Sequence, residues 1–334
     1  MPSLRTPLTR HLGLDVPIVQ APIGSATSPE LAAAVSEAGG LGTLAVTWRD
    51  PDAVPETVAA TRERTDGPVG TNVVVDPDAT ATPAVELVDA CLAADVDVLS
   101  LSFGDASPHV DRAHDAGVDV WQTVGSAAEA REAAAAGVDA VVAQGAEAGG
   151  HLQSDVSTMV LVPRVVDTVD VPVVAAGGIG DGRGVAAVLA LGADAAWLGT
   201  RFVATREANV HERYRRRVVD ADETDTVSGA PFDRGWSGVP HRVLQNATTD
   251  AWEDAGRPPR GDRPGEDDLI GRVGRAPVRR YEDSLATPDA TGDVAEFPLY
   301  AGQSSGLVRT VEPAASVVDR LATEARAALR TGAR

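Results

Sequence analysis

Lysine is absent from this chain: all 29 basic residues among its 334 are arginine. The single cysteine, Cys91, excludes an intrachain disulfide and suits a reducing compartment. No apolar run reaches the 18 residues of a membrane helix, and "MPSLRTPLTRHLGLDVP" lacks the apolar core of a signal peptide. A soluble, cytoplasmic protein is therefore expected. No basic stripe is present to displace counterions, which argues against a nucleic-acid partner. Acid, by contrast, is plentiful. Thirty-two Asp and 17 Glu give a formal charge of −20. Such a surface repels itself in dilute buffer, but at molar salt the Debye length shrinks to about 3 Å and the repulsion is screened. Lysine, with its strongly hydrated ammonium, is the basic residue such a composition loses first. The acidity thus predicts a halophilic protein and says little about partners.

Short apolar strands recur, each entered from an Ala-rich stretch through Gly or Asp, as in "AADVDVLSLSF", "AAGVDAVVAQG" and "LGADAAWLGT". Their starts fall near 17, 41, 69, 97, 118, 139, 171 and 194, with helical patterns between most of them. Ser28-Pro29 opens one helix, and Ser126 with Glu129 has the spacing of a capping box. Continuous apolar strands alternating with helices imply a parallel sheet, and eight units imply a closed (β/α)₈ TIM barrel; an open doubly wound sheet is the alternative. The pattern divides the chain into a barrel over 1–221, an irregular cap or lid over 222–299, and a return to the barrel over 300–334 with an amphipathic helix near 313–330. Trp236 and Trp252 suggest that the cap packs on something.

Barrel active sites lie at the C-terminal ends of the strands. That rule selects Ala21, Pro22 and Ile23 after the first strand, Asn72, Gln122 and Gln144 after the third, fifth and sixth, and the run to His151. It also selects Gly177 and Gly178 after the seventh strand and Gly199-Thr200 after the eighth. Glycine-rich turns on the last two strands match the usual phosphate site of this fold, where backbone N–H groups and a helix N-terminus meet an anion. The three amides suit a flat heterocycle such as an isoalloxazine, although each could instead be a satisfied core amide. His151 follows Gly149 and Gly150, a stretch a planar ring can approach, and an imidazole at the rim suits a proton acceptor. Glu147 either orients it or serves the turn. Cys91 reads as inert core, and no cluster has metal-ligand spacing.

"PIVQAPI" (17–23), "GTNVVV" (70–75), "VAQGAEAGGH" (142–151), "VPVVAAGGIGDGRG" (171–184), "LGTRF" (198–202) and "YAGQSSG" (300–306) together resemble the FMN-dependent nitronate monooxygenases, formerly 2-nitropropane dioxygenases. The resemblance implies His151 as catalytic base. It implies FMN contacts from Ala21, Pro22, Asn72, Gln144, Gly149, Gly178, Gly199 and Thr200, to which the strand-end reading adds Ile23, Gln122 and Gly177, and the last motif Gln303. It further implies oxidation of alkyl nitronates, such as propionate 3-nitronate, by O2 to carbonyl compounds and nitrite. The chain departs from many relatives at Gln153, where they carry Gly, and at Trp197, where they carry Gln. An NAD(P)H-dependent quinone or enoyl-thioester reductase is the rival enzyme, and a non-catalytic flavin-binding protein the rival of another class. NAD(P)H use and a homodimer stay open.

Overall fold

Small residues let these helices lie close on the sheet, and side-chain caps start several of them. In the computed structural model, which describes residues 3–331, Ser28 Oγ accepts the Leu31 N–H at 3.0 Å to start a helix at Pro29. Ser126 Oγ likewise accepts the Glu129 N–H, while the Glu129 carboxylate reaches back to the Gly125 N–H, one residue earlier than a capping box requires.

The barrel strands are β1 (Ile18–Gln20), β2 (Leu41–Ala45), β3 (Val69–Val74), β4 (Val98–Ser102), β5 (Asp119–Val124) and β6 (Ala140–Gln144). A two-residue strand, β7 (Gly150–His151), stands outside the barrel, and β8 (Val173–Ala176) and β9 (Ala195–Leu198) complete it. All pairs are parallel, and Val19 of β1 lies opposite both Leu41 and Trp197, closing the ring. Each of the eight strands starts within two residues of its expected position. This is a (β/α)₈ TIM barrel.

The helices are α1 (Pro7–His11), α2 (Pro29–Glu37), α3 (Val54–Arg62), α4 (Ala84–Ala93), α5 (Ser107–Asp115), α6 (Ala127–Ala135), α7 (Thr158–Val166) and α8 (Gly182–Ala190). They are followed by the short α9 (Thr200–Val203), then α10 (Glu212–Asp220), α11 (Ala247–Asp254) and α12 (Ala314–Thr331). The terminal helix α12 packs against α8 and α2, so it serves as the eighth wall helix. Inside the barrel, Val19, Leu41, Trp121, Val174 and Trp197 pack with Leu8 and Leu14, which plug the end where the strands begin. The opposite end stays free for a site. None of the described helices is long and apolar enough to cross a membrane.

The segment expected to be irregular carries two small sheets. Strand β10 (Thr226–Gly229) pairs with β11 (His241–Leu244), and β11 pairs in turn with β7, which sets His241 opposite His151. The second sheet is β13 (Ala276–Arg279), β12 (Leu269–Val273) and β14 (Ala290–Gly292). Strands of three to five residues broken by glycine and proline leave too short a period-two signal to read.

Candidate active site

At the C-terminal end of the strands lies a cavity of about 490 Å³, within the range of small-molecule sites. Ala21, Pro22 and Ile23 line it, as do Asn72, Gln144, Gly149, His151, Gly177, Gly178, Gly199 and Thr200. Two expected members stay outside. Gln122 braces the loop after β4, accepting the Ala106 N–H and donating to the Gly104 carbonyl, so its core-amide alternative applies. Gln303 is exposed at the start of a 3-10 turn, and its backbone N–H donates to the Glu147 carbonyl.

Gly177 and Gly178 take left-handed backbone, at φ 101° and 71°. That conformation strains other residues, so glycine is required there. Among the described residues, the N–H groups of Gly178 and Ile179, beyond the end of the β8–β9 pairing, meet no protein acceptor. They form a donor cradle beside Gly199 and Thr200 at the start of α9. Gly149 has a different reason from the one its sequence context suggests. A Cβ there would come within 2.4 Å of the Ala301 carbonyl carbon and the Gly302 nitrogen, so the close neighbour is the returning chain. The Thr200 hydroxyl secures that chain by accepting the Gly302 N–H at 2.9 Å.

Gln144 works through the loop that bears the histidine. Its Nε2 donates to the His151 carbonyl and its Oε1 accepts the Gln153 N–H. The Gln153 side chain then donates to the Thr123 carbonyl and accepts the Phe103 N–H, tying together the loops after β4, β5 and β6. Glu147 does not orient His151. Its carboxylate accepts the Thr158 N–H and hydroxyl at the start of α7, so the turn role is the one it plays.

His151 keeps only 11% of its side chain exposed, and its buried Nε2 has no hydrogen-bond partner. Asp283 Oδ2 stands 3.6 Å away, beyond hydrogen-bond reach. Burial pushes the imidazole down to about 4, so it is neutral at pH 7, not poised near neutrality as an exposed rim position would have it. Asp283 is pushed up by its own burial and accepts the Tyr300 hydroxyl. His241, fully buried, is a framework group: Nδ1 meets the Val239 carbonyl and Nε2 accepts the Phe232 N–H, which assigns the proton to Nδ1. Trp236, Asp283, Tyr300, Trp48 and Phe103 line the cavity as well, and strand-end reasoning missed all five. Tyr300 lies in the "YAGQSSG" motif and was within reach of sequence. Asp283 carries no local signal. Trp197 forms part of the wall as an indole, tilted against Trp121 at 6.0 Å. Among the described residues, no group of three or more His, Cys, Asp or Glu side chains could hold a metal ion.

A barrel with glycine-rich turns after β8 and β9, and a histidine with an unpartnered Nε2 in the same cavity, has the layout of TIM-barrel enzymes, whose active sites lie at the C-terminal strand ends. The profile of the nitronate monooxygenase family matches residues 5–324, and the chain belongs to that family of oxidoreductases. It is 34% identical to a nitronate monooxygenase of Paraburkholderia phytofirmans, with 94% of this chain and 93% of that protein covered. It is also 37% identical, over 77% of this chain and 70% of its counterpart, to a (3aS,4S,5R,7aS)-5-hydroxy-7a-methyl-1-oxo-octahydro-1H-indene-4-carboxyl-CoA dehydrogenase of Rhodococcus jostii. Among solved structures, FabK from Thermotoga maritima superposes with a TM-score of 0.84 at 34% identity, with 98% of each chain covered.

Proposed function

We propose that the cavity holds FMN and that the enzyme oxidises alkyl nitronates with O2, releasing a carbonyl compound and nitrite. The observation that carries this reading is the buried, unpartnered Nε2 of His151 in the same cavity as the Gly178–Ile179 cradle. The cradle N–H groups, with Gly199 and Thr200, fit the single phosphate of FMN. Asn72 and Gln144 flank the heterocycle, Asn72 held to Ser100 and Ser102 through its Nδ2 and Gln144 acting through the loop it braces. Bound FMN supplies the redox chemistry. His151 does the proton work: its neutral Nε2 takes the α-proton when the substrate arrives as the uncharged nitroalkane, and only positions a preformed nitronate. Ring walls around it exclude water and hold the substrate carbon near that nitrogen.

The identity with a CoA-ester dehydrogenase supports a second reading, an NAD(P)H-dependent flavin reductase. Anaerobic mixing of holoprotein with NADH, NADPH and a nitronate in turn, followed by flavin absorbance, separates the two. Bleaching by the nitronate alone is expected. Rapid bleaching by either nicotinamide with none by nitronate would overturn the first reading.

A further inference from the structure

We propose that this site selects nitronates whose substituent is bulky, uncharged and apolar, aryl above all, and discriminates against those bearing a carboxylate. The inference rests on the monooxygenase reading and goes further by naming the substrate class.

Aromatic residues are scarce in this chain, with five Trp, three Tyr and four Phe. Several nevertheless converge beside His151. The Trp236 ring centre lies 4.5 Å from that of His151, Tyr300 5.6 Å and Phe103 6.4 Å. Trp48 stands 6.4 Å beyond Trp236, and Phe103 meets Trp236 edge-on at 4.7 Å. Clustered rings of this kind form a slot for flat or branched apolar groups, where edge and face contacts add to burial.

The slot is held rigid by polar ties outside it. Trp236 Nε1 donates to Asp76 Oδ2 at 2.9 Å, and Trp48 Nε1 donates to the Ala79 carbonyl at 3.2 Å. The Tyr300 hydroxyl is bound to Asp283. Phe103 sits at φ 57°, an unusual backbone for a bulky residue, with its N–H on Gln153 Oε1. Strain maintained by such a tie is characteristic of positions that shape a site. Walls fixed before binding lose little freedom when a matching group enters.

Charge completes the argument. Among the described residues no arginine lines the cavity, although arginine is abundant in the chain. Arg234, Arg260 and Arg279 line an adjoining cleft that shares Asp283 and Ser284 with the cavity, and there Arg234 is paired with Asp267 at 2.9 Å. Among the described residues, Asp283 is the one carboxylate that lines the cavity. A carboxylate on the substrate would give up its hydration here, find no cation, and lie near another acid.

The test uses FMN-loaded protein at high salt and follows nitrite release from two preformed nitronates, that of 2-phenylnitroethane and propionate 3-nitronate. The aryl substrate should show a kcat/KM at least about tenfold higher, expressed mainly in KM, as expected for differential apolar burial. Trp236→Ala should bring the ratio of the two kcat/KM values near unity, read as a ratio because absolute rates fall for both substrates when a wall of the site is removed, and Trp236→Phe should keep most of the preference. If Trp236→Ala loses its flavin, Trp48→Ala at a half-exposed position reads the same ratio. Equal or better use of propionate 3-nitronate by the parent overturns this inference alone. Absence of nitrite from both overturns the monooxygenase reading and the inference with it.

Discussion

The burial of His151 has a kinetic consequence that separates it from an ordinary surface histidine. Its imidazole is pushed from 6.5 to about 4 because the charged form is desolvated. A general base works only when unprotonated, so its activity fails below its pKa. At pH 5, a histidine titrating at 6.5 is about 3% neutral, whereas one titrating at 4 is about 90% neutral, a difference of about 30-fold in available base. The kcat/KM for a neutral nitroalkane should therefore stay level from pH 7.5 down to about 5 and fall tenfold per unit only below about 4. The same shift acts on stability. The folded state has the lower pKa, so the unfolded chain binds more protons between 6.5 and 4. Stability falls as pH drops through that window, by about 3 kcal/mol for a shift of this size. Circular dichroism at each pH separates unfolding from loss of base. His151→Asn should keep FMN and lower turnover of the neutral nitroalkane by about 10²–10⁴-fold, while the preformed nitronate falls much less. A limb near pH 6.5 in the folded enzyme, or a variant that treats both substrates alike, would refute the assignment.

Three other outcomes are expected. The purified protein should be yellow and release FMN, not FAD, on denaturation, and Gly178→Asp should abolish binding. At φ 71° and with Glu147 beside it, an added carboxylate there is strained, repelled and placed at the cradle; a colourless wild type that also fails to take up FMN overturns the site. Gly149→Ala should destabilise the fold by about 2 kcal/mol or more, since its methyl would overlap the backbone at Ala301 and Gly302, and an unchanged melting temperature would contradict that. Finally, with 49 acidic residues and no lysine, the melting temperature should fall as salt drops from about 3 M to about 0.1 M, a range over which screening changes severalfold; a flat profile refutes the halophilic reading.

The strand rhythm was legible because each barrel unit is local. An Ala-rich helix, a glycine stop and an apolar strand recur within 20 to 32 residues, and an eight-fold repeat of that unit closes in one way. Strand ends then point to Asn72, Gln144, Gly177, Gly178, Gly199 and Thr200 without any knowledge of packing. Rim position likewise singles out His151. Gln122 shows the limit of that logic: lying at a strand end does not decide which way an amide turns, and this one turns to its own loop.

What the tertiary structure alone decided is the environment of the histidine. Trp236 and Asp283 come from the 222–299 segment, whose short strands leave little periodic signal, and His241 is set opposite His151 only by the β7–β11 pairing. The protonation state of His151 follows from those neighbours, because desolvation depends on every chain segment that covers the ring. Chemistry at a position can be read from the residue, but its pKa and the shape of the slot around it arise from contacts between residues some 130 to 160 places apart in the chain.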